Sequence, residues 1–239
     1  MPVHIHPTAP LARRALLPGD PGRALALAQL VLREPKMFNH NRGLWGYTGT
    51  AADGEPMTIQ STGMGGPSAA IVLEELCDLG LEVAIRVGTC GALDPDLRLG
   101  ELVIAAAALA SDGTSRALGA DGRIAADPAL VAALRAAAGA NGTRTGAIAS
   151  SDLFYDRDPD RAGAWRAAGA VAVEMEAATL LRVGELRGIP VGCLLAVTDV
   201  FDADGARQRI DADALLQAAE QLGRVGAEAL GARAEPDSA

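Results

Sequence analysis

The sequence is short of aromatic side chains, of lysine, of cysteine and of long apolar runs, and each shortage excludes something. Phe, Trp and Tyr together make up 3% of the 239 residues. The core must therefore be built from Ala, Val and Leu, with few ring faces left over for ligands. Lysine occurs once, at Lys36, so nearly all of the 21 Lys+Arg residues are arginines. Against 30 Asp+Glu this leaves a formal net charge of -9. That balance argues against a general nucleic-acid binder, whose footprint is a basic patch. A small anion remains a possible ligand, because a few local arginines suffice to hold one. Three cysteines, Cys77, Cys90 and Cys193, lie far apart with no CxxC. This pattern fits a reducing compartment and no structural zinc. No apolar run is long enough to span a bilayer. The start, Met-Pro-Val-His-Ile-His-Pro, lacks the features of a signal peptide. A soluble, cytoplasmic protein with no membrane contact is expected.

What is present is a large stock of small apolar residues. Hydrophobic residues amount to 49% of the chain, enough for a sizeable core. Nothing in the sequence resembles a linker, so one α/β domain over residues 1–239 is expected. An arm at 1–13 and a tail at 232–239 are expected to be flexible or at an interface. Apolar runs that read as strands fall at 15–17, 44–50, 57–62, 82–87, 102–107, 145–150, 171–173 and 190–197. Helical periodicity covers 23–32, 67–79, 129–138, 161–168, 176–187 and 211–230. Asp53-Gly54 marks a hairpin and Gly80 a helix C-cap. Strands alternate with helices, and polar residues collect at strand C-terminal ends, where open α/β sheets bind ligands.

The stretch from Gln60 to Leu76 stands out. Gly63, Gly65 and Gly66 permit close backbone approach or positive φ, and Pro67-Ser68 suits a helix start with unpartnered N–H groups. Read by itself, this turn is an anion cradle. Arg23 follows Pro18-Gly-Asp-Pro-Gly at another helix start. Arg86 lies inside an apolar run just before Gly88-Thr-Cys-Gly91, and a buried arginine requires a counter-charge or a ligand. The glutamates of Glu174-Met-Glu176 bracket a strand-to-helix junction, and Thr198-Asp199 ends a strongly apolar strand.

Seven segments in order carry a family resemblance: Pro18-Gly-Asp-Pro-Gly-Arg23, Asn41-Arg-Gly-Leu-Trp-Gly-Tyr-Thr-Gly49, Thr62-Gly-Met-Gly-Gly-Pro-Ser68, Arg86-Val-Gly-Thr-Cys-Gly91, Ser151-Asp-Leu-Phe-Tyr155, Val173-Glu-Met-Glu-Ala177 and Thr198-Asp199. With these the chain resembles the trimeric and hexameric purine nucleoside phosphorylases, whose superfamily also holds uridine and methylthioadenosine phosphorylases. The resemblance implies a three-layer α/β/α fold with a central mixed, partly barrel-like sheet flanked by helices. It implies reversible phosphorolysis of purine nucleosides, with inorganic phosphate as co-substrate and no metal or organic cofactor. It implies a homo-oligomer, a hexamer built as a trimer of dimers, with sites shared across the dimer.

By the same resemblance Gly19, Arg23, Arg86 and Thr89 hold phosphate, with Arg42 reaching it from a neighbouring subunit. Glu176 takes the ribose hydroxyls, Met175 and Met64 pack on the sugar, and His4 approaches the 5′-hydroxyl from the partner. Cys90, Gly91, Val173, Glu174 and Thr198 complete the nucleoside pocket, and Phe154 stacks on the base. Asp199, in its protonated form, donates to purine N7 as charge builds on the departing base. The resemblance thus moves the main positive charge away from the Gln60–Ser68 turn and makes that turn the floor of the pocket. Arginines available to assist Asp199 are Arg207 and Arg209, and neither is assigned. A uridine phosphorylase would carry an insertion with glutamine between Tyr155 and Val171, which this chain lacks. A methylthioadenosine phosphorylase would have an apolar 5′ pocket, against which His4 weighs. A dinucleotide-binding oxidoreductase would show GxGxxG after its first strand, and none occurs.

Overall fold

The computed structural model describes residues 2–139, 142–201 and 206–232. Of the expected C-terminal tail, residues 233–239 lie outside these. The elements run β1 (Arg14–Leu17), α1 (Pro21–Val31), β2 (Arg33–Asn39), a 3-10 turn (Asn41–Gly43), β3 (Gly46–Thr50), β4 (Pro56–Gln60), α2 (Gly66–Asp78), β5 (Val83–Ala92) and β6 (Leu102–Ala110). They continue with α3 (Gly113–Ala117), β7 (Arg123–Ala125), α4 (Pro128–Ala138), β8 (Thr143–Ser150), α5 (Arg161–Ala167), β9 (Ala170–Glu174), α6 (Ala177–Arg187), β10 (Val191–Phe201), β11 (Arg207–Arg209) and α7 (Ala212–Ala232). Asp-Pro opens both α1 and α4. Asp20 accepts a hydrogen bond from the Arg23 amide at 2.6 Å, and Asp127 one from the Leu130 amide at 2.9 Å, so each aspartate satisfies a first-turn donor while proline occupies the position that needs none.

Among the described residues, all eleven strands belong to one mixed sheet. Strand β10 pairs with β5 in parallel and with β6 antiparallel, β6 pairs with β8, β8 with β9, and β9 returns to β5. Those five strands close on themselves into a barrel, which removes edges from the most apolar part of the sheet. Strands β1, β4, β3 and β2 extend outward from β5. Alternate residues of β10 enter opposite cores, as the pleat requires. Val191, Cys193, Leu195 and Val197 pack with α2 and α6, whereas Leu194 and Ala196 pack with α1, α4 and α7. Burying each such Val or Leu contributes about 1.5–3 kcal/mol. The result is the expected three-layer arrangement, with Arg86 on the α2/α6 side opposite Cys193.

The structure departs from the expected elements in two ways. Strand β5 does not end at Val87 but continues through Gly88-Thr-Cys-Gly91 to Ala92, because β10 and β9 pair with it there. A Cβ at Gly88 would lie 2.8 Å from Nη2 of Arg86, so the glycine serves side-chain clearance rather than a turn. Strands β2, β7 and β11 and the short helix α3 carry no clear periodicity. Strand β2 has five exposed residues out of seven and contains Pro35, which an edge strand tolerates and an inner one does not.

Candidate active site

The site is built at the C-terminal ends of the parallel strands β1, β5 and β10. Arg86 is 3% exposed. Its Nε donates to Glu174 Oε2 at 2.8 Å, and its Nη2 lies 2.5 Å from Glu176 Oε2. Its Nη1 is buried and has no hydrogen-bond partner. Burial pushes this guanidinium's pKa down, but the charges of Glu176 and Glu174 outweigh it and the net shift is upward. Arg86 is therefore a permanent cation with one donor nitrogen to spare.

Gly19 borders that nitrogen: a Cβ there would stand 3.9 Å from Nη1 and 3.2 Å from the Gly63 carbonyl oxygen. Arg23, half-buried in the first turn of α1, is close enough for its charge to register on Arg86 and Glu176. Burial lowers its pKa, Arg86 adds to that, and Asp20 and Glu176 oppose it. Its guanidinium makes no hydrogen bond or ion pair within hydrogen-bonding distance among the described residues. Thr89 is half-buried, three residues along β5. The chain thus brings Gly19, Arg23 and Arg86 together, with Thr89 further along β5.

The turn into α2 meets this group from the other side. Gly65 adopts φ 88°, a conformation that suits glycine, and its amide donates to Glu176 Oε1 at 2.6 Å. The anion at this helix start is thus the protein's own carboxylate. The pKa of Glu176 is raised by burial, with the charge of Glu174 adding to it and Arg86, the Gly65 amide and Arg23 opposing. Glu174 is engaged by Arg86, by the Ser150 hydroxyl and by the amides of Glu176 and Ala177. Met175 is half-buried between the two glutamates, and Met64 is 87% exposed.

A second group gathers where β9, β5 and β10 lie side by side. Gly91 pairs with Val173 on one flank and with Asp199 on the other, and Cys90 pairs with Val197. Burial pushes the Cys90 thiol up, as it does Cys193, so both stay neutral. Asp199 is 6% exposed. Thr198 Oγ1 lies 2.9 Å from its Oδ2, Arg207 Nε donates to Oδ1 at 2.8 Å, and Arg209 Nη1 lies 3.1 Å from Oδ1. Both arginines left open by the sequence therefore reach the carboxylate, carried there because β11 pairs Asp199 with Arg209. The Arg207 guanidinium also sits 4.7 Å from the centroid of the Phe154 ring, a cation–π contact that links the aromatic residue to the acid. Phe154 is itself 52% exposed.

His4 and Arg42 are not joined to either group. Glu75 of α2 accepts hydrogen bonds from the amides of Val3, His4 and Ile5 and contacts His4 Nδ1 at 2.7 Å. Asn41 Nδ2 donates to the His4 carbonyl at 2.9 Å, so the turn carrying Arg42 is tied to the arm carrying His4. Arg42 is exposed and adopts φ 56°, a conformation costly for a residue with a Cβ. Burial raises the pKa of Glu75, but His4 and the three amides outweigh it and bring it from 4.5 to about 2. A folded-state value below the unfolded one contributes stability above pH 4.5 and loses it as pH falls from there toward 2. The protection of the Val3–Ile5 amides against hydrogen exchange, taken relative to the intrinsic exchange rate at each pH, is expected to fall in that window. Glu75→Gln should abolish the pH dependence, and an unchanged profile in that variant would remove Glu75 as the latch.

Sequence reasoning missed Ser150, the Gly65 amide and Glu75. A serine at a strand end and a glutamate on an amphipathic helix carry no local signal of such contacts. Among the described residues no group of three or more His, Cys, Asp or Glu could hold a metal ion, and no helix is long and apolar enough to cross a membrane.

Comparison with known proteins shows the family. Residues 13–231 match the family model described as Phosphorylase superfamily. The chain is 38% identical over 208 residues to a DeoD-type purine nucleoside phosphorylase of Clostridium beijerinckii, covering 84% of this chain and 87% of that protein. A DeoD-type purine nucleoside phosphorylase of Clostridium novyi is 36% identical over 195 residues, with coverage of 79% and 83%. A guanosine phosphorylase of Halorubrum lacusprofundi is 36% identical over 186 residues, with coverage of 77% and 76%. With the family model matched over nearly the whole chain and relatives of 36–38% identity covering most of it, the protein belongs to the phosphorylase superfamily.

Proposed function

We propose that the protein catalyses the reversible phosphorolysis of purine ribo- and deoxyribonucleosides, giving a free purine base and the sugar 1-phosphate. The observation that carries this reading is Arg86, a buried cation whose Nη1 has no protein partner and faces Gly19 beside Arg23. Phosphate oxygens suit such donors, and guanidinium groups bind them with strong, directional hydrogen bonds. Held by Arg86, Arg23, Thr89 and the Gly19 backbone, a phosphate oxygen attacks C1′. The C1′–N9 bond breaks with its electron pair passing to the purine, and Asp199, protonated when the nucleoside is bound, delivers that proton to N7 and returns to the carboxylate that Arg207 and Arg209 hold. Holding the nucleophile in place removes part of the barrier through orientation. Glu176 accepts from the ribose hydroxyls with the lone pairs left free by Gly65 and Arg86. Met175 and Met64 line the sugar, Cys90, Gly91, Val173 and Thr198 line the base side, and Phe154 stacks on the ring.

No metal or organic cofactor is needed, because the anionic nucleophile and the proton donor supply both ends of the displacement. We assign His4 and Arg42 to the partner subunit's site, in a hexamer built from dimers. The Asn41–His4 bond and the strained, exposed Arg42 support a shared patch. Three unpaired cysteines support a reducing, cytoplasmic location. One experiment tests the reading. Inosine, guanosine, adenosine, methylthioadenosine and uridine are each incubated with and without phosphate, and the same preparation is sedimented. Base release from the purine nucleosides is expected only with phosphate, from an oligomer. Release without phosphate, preference for uridine, or an active monomer would each overturn the corresponding part.

A further inference from the structure

The motif places Glu174 and Glu176 two residues apart, and the family pattern assigns both to the nucleoside. Their surroundings are different. The Glu174 side chain is 1% exposed, and both its oxygens are filled by protein donors. Oε2 accepts from Arg86 Nε at 2.8 Å and from the Glu176 amide at 2.8 Å, Oε1 accepts from the Ser150 hydroxyl, and the Ala177 amide reaches both oxygens at 2.9 Å. A carboxylate has about four acceptor sites, and four donors use them. A sugar hydroxyl would have to displace one of these donors.

The Ser150 contact has a defined direction. Its oxygen accepts from the Ala178 amide at 2.8 Å, and an amide can only donate. The serine's own proton is therefore left to point at Glu174. The Nε edge of the guanidinium rests on Glu174 while Nη2 rests on Glu176. With a planar group held on these two nitrogens, the direction of Nη1 is determined, and it faces Gly19 unpartnered.

We propose that Glu174 and Ser150 are positioning residues that orient Arg86 Nη1 for the phosphate co-substrate, and that neither binds the nucleoside. This rests on the phosphorylase reading above. Glu174→Gln keeps the shape but presents an NH2 group to a site lined with donors. It is expected to raise the phosphate KM by about tenfold, the order expected for a hydrogen bond to a charged group, with the nucleoside KM within about twofold of the unaltered enzyme. Ser150→Ala removes one donor and should raise the phosphate KM about threefold. That variant carries the test if Glu174→Gln fails to fold. The Ser150→Ala penalty should vanish in an Arg86→Lys background, which has no Nε edge to orient.

A raised nucleoside KM with an unchanged phosphate KM would make Glu174 a sugar ligand and overturn the proposal. So would a Ser150→Ala penalty that persists beside Arg86→Lys. Phosphate-independent base release by the unaltered enzyme would instead sink the phosphorylase reading, and this role with it. Phosphate-dependent release with a normal phosphate KM in both variants would overturn the positioning role alone.

Discussion

Asp199→Asn is expected to lower kcat on inosine and guanosine by about 10²-fold or more, the range associated with loss of a general acid. The carboxylate is buried at the end of β10, opposite Gly91 in the β5 register, with Thr198, Arg207 and Arg209 on its oxygens. An asparagine fills the same volume but has no proton to give to a departing base. It also turns an NH2 group toward arginines that have no use for a donor. Arg207 would then lose its hold on the acid while keeping its place over Phe154. The loss should be small for a nucleoside whose base leaves without protonation. Steady-state rates on both substrate types make the check, and equal losses on both would assign Asp199 to binding rather than proton transfer. An unchanged rate on the purine nucleosides would remove it from the mechanism.

Arg86 variants should show the largest combined effect on stability and phosphate use. Arg86→Ala leaves Glu174 and Glu176 buried with no cation on them. Breaking such a pair costs about 3–5 kcal/mol, against a total stability of about 5–15 kcal/mol for a typical domain. Low yield and a lower urea midpoint are expected, which makes alanine a poor probe of catalysis. Arg86→Lys separates the two effects. It retains the positive charge between the glutamates but loses the planar fork that places a third nitrogen toward Gly19. The expected result is a modest loss in the urea midpoint and a rise in phosphate KM of about 10- to 100-fold. Normal phosphate saturation in Arg86→Lys would overturn the assignment of Arg86 to the anion site.

A buried arginine inside an apolar strand was legible from sequence, because such a cation demands a partner wherever the chain puts it. Its partners were not. Glu174 and Glu176 look alike in a linear motif, and only the junction of β9 with α6 turns one into a donor-filled site beside Ser150 and sends the other to the Gly65 amide. Gly88 and Gly91 lie beyond the apolar run at 82–87 that reads as a strand. They lie within β5 because β10 and β9 pair across them, and pairing between strands so distant in the chain leaves no local trace.

By itself the sequence determined the α/β alternation, the helix start after Pro18-Gly-Asp-Pro-Gly and the seven ordered motifs that mark the superfamily. These depend on local chemistry: caps, glycine turns and the spacing of apolar residues. The tertiary structure alone decided that β5, β6, β8, β9 and β10 close into a barrel, and that Arg207 and Arg209 meet at Asp199. It also decided that His4 rests on Glu75, away from Arg86. The physical reason is that register and side-chain direction are set by contacts between segments distant in the chain, whereas spacing along the chain records only what neighbours do.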